Sequence, residues 1–264
     1  LIIGGGGMIG QKLASSFSKN DSLTLLDIGF PNKNQSNARK MIGSVGDPEI
    51  IENSLKDLPE VIYYLDSVVS GEAEADFSKG WDVNIHAFWS FLSLVKKLNE
   101  KSQGQYKPKI IFTSSIAVFG SPFPDQIPDD FITAPRTSYG AQKASCELML
   151  NDFTRKGFCE GLAIRLPTIC VRPGKPNLAA SSFFSGIIRE PLSGINAQLP
   201  VSTAVRHWHA SPRSAVRFLR HAETLNFSEL NAFIKEERER GSNLINNHLL
   251  IRHKRWSLPV SAFV

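Results

Sequence analysis

Cysteine is scarce in this 264-residue chain. Cys146, Cys159 and Cys170 are an odd count without metal-ligand spacing. That argues against a disulfide framework and a cysteine-built zinc centre, and the expected setting is the reduced cytoplasm. Long apolar runs are lacking too: no window of about eighteen apolar residues occurs, so no membrane-spanning helix is expected. A secretory leader is not expected either, because a glycine loop follows the third residue. Internal repeats and low-complexity tracts are missing. So is a basic footprint. The net charge is +5, but residues 231–264 hold six Lys/Arg against three Glu and carry +3 of it. The +2 left over 230 residues does not mark a nucleic-acid surface.

What is present is an alternation of strands and helices. Residues 1–3 read as a buried strand and 7–18 as the helix after it. Strands are expected at 23–27, 41–45, 61–65, 109–114 and 161–166, with a polar loop over 31–40. Pro48 suits the first turn of a helix and Asp47 its cap. Residues 75–101 read as one long helix, with Trp81, Ile85, Phe88, Leu92 and Val95 on its buried face. A proline-rich loop over 119–135 precedes a helix at 137–156, and further helical stretches fall at 179–189 and 212–222. Such alternation predicts an α/β fold, a doubly wound, Rossmann-like parallel sheet with right-handed crossovers. The expected division is a first unit over 1–166 and a smaller substrate lobe over 167–264, with 226–264 an atypical tail.

Two motifs carry chemistry. Gly4, Gly7 and Gly10 follow the first strand and open a helix. Glycines there allow a tight turn and close approach of the backbone to a pyrophosphate, with Met8 and Ile9 between them as further contacts. Asp27 stands 20 residues past Gly7, at the end of the second strand. A carboxylate there binds ribose hydroxyls and repels a 2′-phosphate, which points to NAD rather than NADP. Asp47 reads equally as a contact to adenine or as a helix cap. Leu65 and Pro167, at the ends of later strands, join the candidate cofactor contacts.

The second motif is Tyr139 with Lys143, i and i+4 on one helix. An ammonium beside a phenol stabilises the phenolate, a general base for an alcohol. Ser115 ends a strand about 24 residues earlier; its hydroxyl reads either as a bridge to the substrate oxygen or as a turn cap.

The glycine motif, Asp27, DVNIHAF, FTSSIAVFG and YGAQK, in that order, resemble the extended short-chain dehydrogenases/reductases of the NAD-dependent epimerase/dehydratase group. The resemblance implies that Ser115, Tyr139 and Lys143 are the catalytic trio, that Lys143 also holds the nicotinamide ribose, and that Asn84 holds a water for proton relay. SGEAEADF, RLPTICVRPGKPNLAASSFFSGIIREPL and RHWHASPRSAV resemble members that oxidise a four-carbon sugar acid at C2 with NAD. A carboxylate substrate needs a cation or several donors. Arg206 is the first candidate, with a surface arginine as the equal alternative, and Thr168, Ser181 and Ser182 are donors nearby. His207 and His209 point the same way on an expected strand, but no carboxylate or Cys stands at ligand spacing, so no metal is expected. Relatives pair through the helices at 75–101 and 137–156, which implies a homodimer, and Phe91, off the apolar stripe, suits its interface.

The chain departs from the family at Asp66, where relatives carry a small residue. Its carboxylate is expected beside the bound phosphates, where like charges at ~4 Å repel by about 1 to 4 kcal/mol. Phe119 replaces a family tyrosine, and the likeness stops near Asn226. Two alternatives stay open: a nucleotide-sugar epimerase or dehydratase, and an NAD-binding relative with impaired catalysis.

Overall fold

A computed structural model describes residues 1–31, 38–128 and 131–225. The tail 226–264 and parts of the two expected loops lie outside the described residues.

Six parallel strands form the main sheet. They are β1 (Ile2–Ile3), β2 (Thr24–Asp27), β3 (Arg39–Ile42), β4 (Val61–Tyr64), β5 (Lys109–Ser115) and β6 (Glu160–Leu166), in the order β3-β2-β1-β4-β5-β6. Both faces are covered, which is why the central strands are nearly continuous apolar runs. Alternate residues serve the two faces. Ile3, Leu26, Ile62, Tyr64, Ile110 and Phe112 pack with α2 (Pro48–Ser54), α5 (Ala87–Lys101) and α6 (Ser138–Arg155). Ile2, Leu25, Tyr63, Ile111 and Leu162 pack with Leu13 of α1 (Met8–Ala14) and with Leu219 and Ala222 of α8 (Pro212–Thr224). Although α8 falls in the second sequence unit, it therefore belongs to a layer of the main sheet.

A two-stranded sheet joins β7 (Thr168–Ile169) to β8 (His209–Ala210), with α7 (Phe183–Leu192) between them in sequence. No helix among the described residues is long and apolar enough to cross a membrane.

Three expectations are corrected. The helix expected over 75–101 begins at Phe77 instead and runs on without interruption through α4 (Phe77–Trp81), a π-helical turn (Asp82–His86) and α5, with a separate α3 (Ser70–Ala75) preceding. Asp76 leaves helical geometry and its carboxylate caps the Lys79 N–H at 3.0 Å. The third strand spans 39–42 rather than 41–45, because pairing of Thr24 with Arg39 sets its register, and an edge strand tolerates exposed Arg39 and Lys40. Phe91 is wholly buried, its ring 5.2 Å from that of Tyr64. The buried face of α5 is wider than the stripe read from sequence; its exposed aromatic is Trp89.

Candidate active site

The order of the strands reverses between β1 and β4, and a cleft of about 1890 Å³ opens at the carboxyl edge there. That is where open α/β sheets bind ligands. Its volume exceeds that of a pocket for one small molecule.

The glycine turn forms its floor. Gly4 has φ +81°, and a Cβ on it would lie 2.8 Å from the Asp66 nitrogen. A Cβ on Gly10 would lie 2.3 Å from the Gly4 carbonyl oxygen. Gly7 starts α1, and no side chain caps that helix. Gly4, Gly7, Met8, Ile9, Gly10, Asp27 and Leu65 all line the cleft, as does Pro167. The Asp27 carboxylate accepts the Gly6 N–H at 2.8 Å, which fixes it against the turn. These features fit a dinucleotide. Asp47 does not line the cleft; its carboxylate accepts the N–H groups of Glu49 and Ile50, so the structure shows the helix cap.

Asp66 also lines the cleft, as the sequence suggests. Burial, then the Asp27 charge, pushes its carboxyl up to about 6, against the pull of Lys143 and a hydrogen bond from the Ser67 N–H.

Tyr139 reaches the cleft from the first turn of α6. Lys143 lies beneath it, buried, its ammonium donating to the Thr113 carbonyl at 2.9 Å and lying 5.6 Å from the Tyr139 ring centroid. Ser115 also lines the cleft, and its hydroxyl accepts the Ala117 N–H at 3.1 Å, so it caps a turn as well. Ser115, Tyr139 and the glycine turn thus share one cleft, with Lys143 buried behind Tyr139 and outside its lining.

Asn84 lies elsewhere. It is buried in the π-helical turn, its Oδ1 accepting from the Val68 N–H and its Nδ2 donating to Val68 O and Gln142 Oε1. Both amide protons are engaged within the protein, so the observed contacts fasten the segment after β4 to α6.

Thr168, Ser181, Ser182 and Arg206, all from the segment after β6, also line the cleft. Arg172 and Arg189 join them, two cations missed in the sequence reading. Arg189 donates to the Arg172 carbonyl at 2.7 Å and pairs with Glu190. Phe123, from the proline-rich loop, meets Trp208 edge-on at 6.0 Å, and both line the cleft.

Behind the trio lies a buried network that sequence reasoning also missed. Glu147 accepts from Arg165 in two prongs, Nε to Oε1 at 3.0 Å and Nη2 to Oε2 at 2.7 Å, and also accepts from the Ser114 hydroxyl. A charged residue inside the apolar strand GLAIRL was the signal for it. No group of three His, Cys, Asp or Glu among the described residues could hold a metal.

Comparison with known proteins agrees with this geometry. Residues 1–212 match the NAD dependent epimerase/dehydratase family. Over 232 residues the chain is 42% identical to a D-erythronate dehydrogenase of Cupriavidus necator, covering 83% of this chain and 70% of that one. A D-erythronate dehydrogenase of Haemophilus influenzae is 40% identical over 229 residues, covering 84% and 71%. A crystal structure of a nucleoside-diphosphate-sugar epimerase from Agrobacterium tumefaciens superposes with a TM-score of 0.78 at 42% identity, covering 92% of this chain and 79% of that one. Glycine turn, strand order and extent of match agree: the chain belongs to the NAD-dependent epimerase/dehydratase family.

Proposed function

We propose that this protein oxidises the C2 hydroxyl of a four-carbon sugar acid, D-erythronate or a near relative, with NAD. One observation carries the reading: Tyr139 opens on the glycine-turn cleft with the Lys143 ammonium buried beneath it. The chemistry that NAD supplies when bound is acceptance of a hydride. Tyr139 takes the hydroxyl proton onto its phenolate oxygen, and Lys143 stabilises that phenolate. Ser115 orients the substrate oxygen. The glycine turn and Asp27 hold the dinucleotide, and Arg206 with Ser181 and Ser182 receives the carboxylate. Residues 1–166 form the cofactor unit in this reading, and the segment after them supplies the substrate wall. Asn84 serves by position rather than by contact. The expected signal is NADH absorbance when D-erythronate and NAD are added together; no turnover across a panel of four-carbon acids rejects the proposal.

A second reading, epimerisation of a nucleotide-bound sugar, is supported by the name of the Agrobacterium relative. Retained NAD and tight binding of a uridine- or thymidine-diphosphate sugar favour it. A dehydratase would want an acidic residue after the catalytic hydroxyl, and Ile116 stands there. The assembly reading is a cytoplasmic homodimer through α5 and α6, supported by exposed Trp89 and Leu148. A monomer mass in sedimentation overturns it.

A further inference from the structure

We infer that His207 recognises a second hydroxyl of the substrate, accepting its hydrogen bond at Nε2. This deepens the proposed sugar-acid reading and rests on it.

The tautomer follows from the backbone. His207 Nδ1 lies 3.0 Å from the Trp208 carbonyl oxygen. A carbonyl only accepts, so Nδ1 carries the hydrogen and the neutral ring keeps its lone pair on Nε2. The same carbonyl accepts the Thr168 N–H at 3.1 Å, which fastens the His207 segment to β7. Thr168 comes two residues after Leu166, and Leu166 is the sheet partner of Ser115. The imidazole is therefore tied to the continuation of the strand beside the reacting edge, and His207 lines the same cleft as Tyr139.

Its ring packs into a cluster of three, since Phe184 and His209 also meet each other, at 4.6 Å. Phe184 of α7 packs 4.7 Å from it, centroid to centroid, and the His209 ring lies at 5.2 Å. A ring held in this way offers its acceptor in one direction.

The chemistry of the wall selects the ligand. Arg172 and Arg206 only donate, which suits a carboxylate, while Arg189 is already paired with Glu190. A polyhydroxy acid also brings hydroxyl donors at carbons it does not lose hydrogen from, and these need acceptors. Nε2 supplies a neutral one, so the site distinguishes a sugar acid from a plain 2-hydroxy acid. A site built to bond a substrate hydroxyl discriminates strongly against the analogue that lacks it.

The test measures KM for D-erythronate and the competitive inhibition constant of (R)-2-hydroxybutanoate, which keeps the carboxylate and C2 hydroxyl but lacks the others. His207→Phe should raise KM for D-erythronate by about ten- to a hundredfold and leave the inhibition constant and NAD affinity within about twofold. His207→Gln, which keeps an acceptor, should recover most of the loss. Equal weakening of both acids, or no change in either, overturns the inference while the proposed reaction stands. A wild type that oxidises no four-carbon acid overturns both. A readout on the wild type itself comes from imidazole 15N spectra with NADH, the variant serving only to assign the signal. The lone-pair nitrogen signal that His207→Gln lacks should shift when D-erythronate is added, and a signal that stays in place overturns the inference.

Discussion

Lys143 holds its ammonium 5.6 Å from the centre of the Tyr139 ring while it donates to the carbonyl of Thr113, on the strand that ends at Ser115. One lysine thereby ties the base to the strand that carries its partner hydroxyl. Lys143→Met removes that charge and its bond to the Thr113 carbonyl while keeping a chain of similar length. Turnover should fall by about 10²-fold or more, with NAD affinity changed only a few-fold. Kinetics beside NAD titration check this; turnover near wild type removes Lys143 from the mechanism.

Asp66 should make cofactor binding sensitive to pH. Its carboxyl is raised from 3.8 to about 6 in the folded protein, so the folded chain holds that proton more tightly than the unfolded one. The stability this contributes is complete below about pH 4 and is lost as pH rises through about 6. Asp66→Asn should melt a few degrees above wild type at pH 8, and the gap should close below pH 4. NAD should bind the variant about tenfold more tightly at pH 8, and wild type should approach it as pH falls through 6. Identical pH profiles for the two proteins contradict the account.

Gly10 is a position in the glycine turn that has no room for a side chain. An added Cβ would meet the Gly4 carbonyl oxygen at 2.3 Å and the Gly5 Cα at 2.8 Å, both backbone. Gly10→Ala should cost about 1–3 kcal/mol and weaken NAD at least tenfold. Gly29, where a Cβ meets nothing within 4 Å, is the control, and Gly29→Ala should stay within about 0.5 kcal/mol. Calorimetry with a thermal melt separates the two.

The Glu147–Arg165 pair should show the asymmetry of buried charge. Both side chains are about nine-tenths buried, at 10% and 11% exposure. Arg165→Met strands the carboxylate and should cost about 3–5 kcal/mol, seen as a melting point lower by roughly 10 °C. Adding Glu147→Gln should restore much of it, since the uncompensated charge is then gone. Additive losses in this double variant refute that reading.

Much of this was legible in the sequence because its signals are local. Glycine spacing, an acid at the end of β2, and Tyr139 four residues before Lys143 each act within one turn or one strand, and the cleft brings them together. What was not legible depends on packing across the chain. Phe91 reads as surface until Tyr64 and Phe88 are seen around it. The break at Asp76 depends on a side chain capping its own backbone, which competes with helix wherever Asp occurs. Asp47 carries a cap motif and a cofactor position at once, and only coordinates distinguish them. Arg172 and Arg189 are common surface residues in sequence, and the hydrogen bonds that join α7 to the segment after β7, Arg172 N–H to the Ser185 hydroxyl and Arg189 to the Arg172 carbonyl, hold them at the cleft.

The phenol oxygen of Tyr139 is the atom on which the reaction turns, and NADH formation by wild type and Tyr139→Phe at saturating D-erythronate and NAD tests it most directly. Both proteins should bind NAD alike, with turnover in the wild type and a loss of at least about 10²-fold in the variant. Equal rates in the two proteins contradict the account.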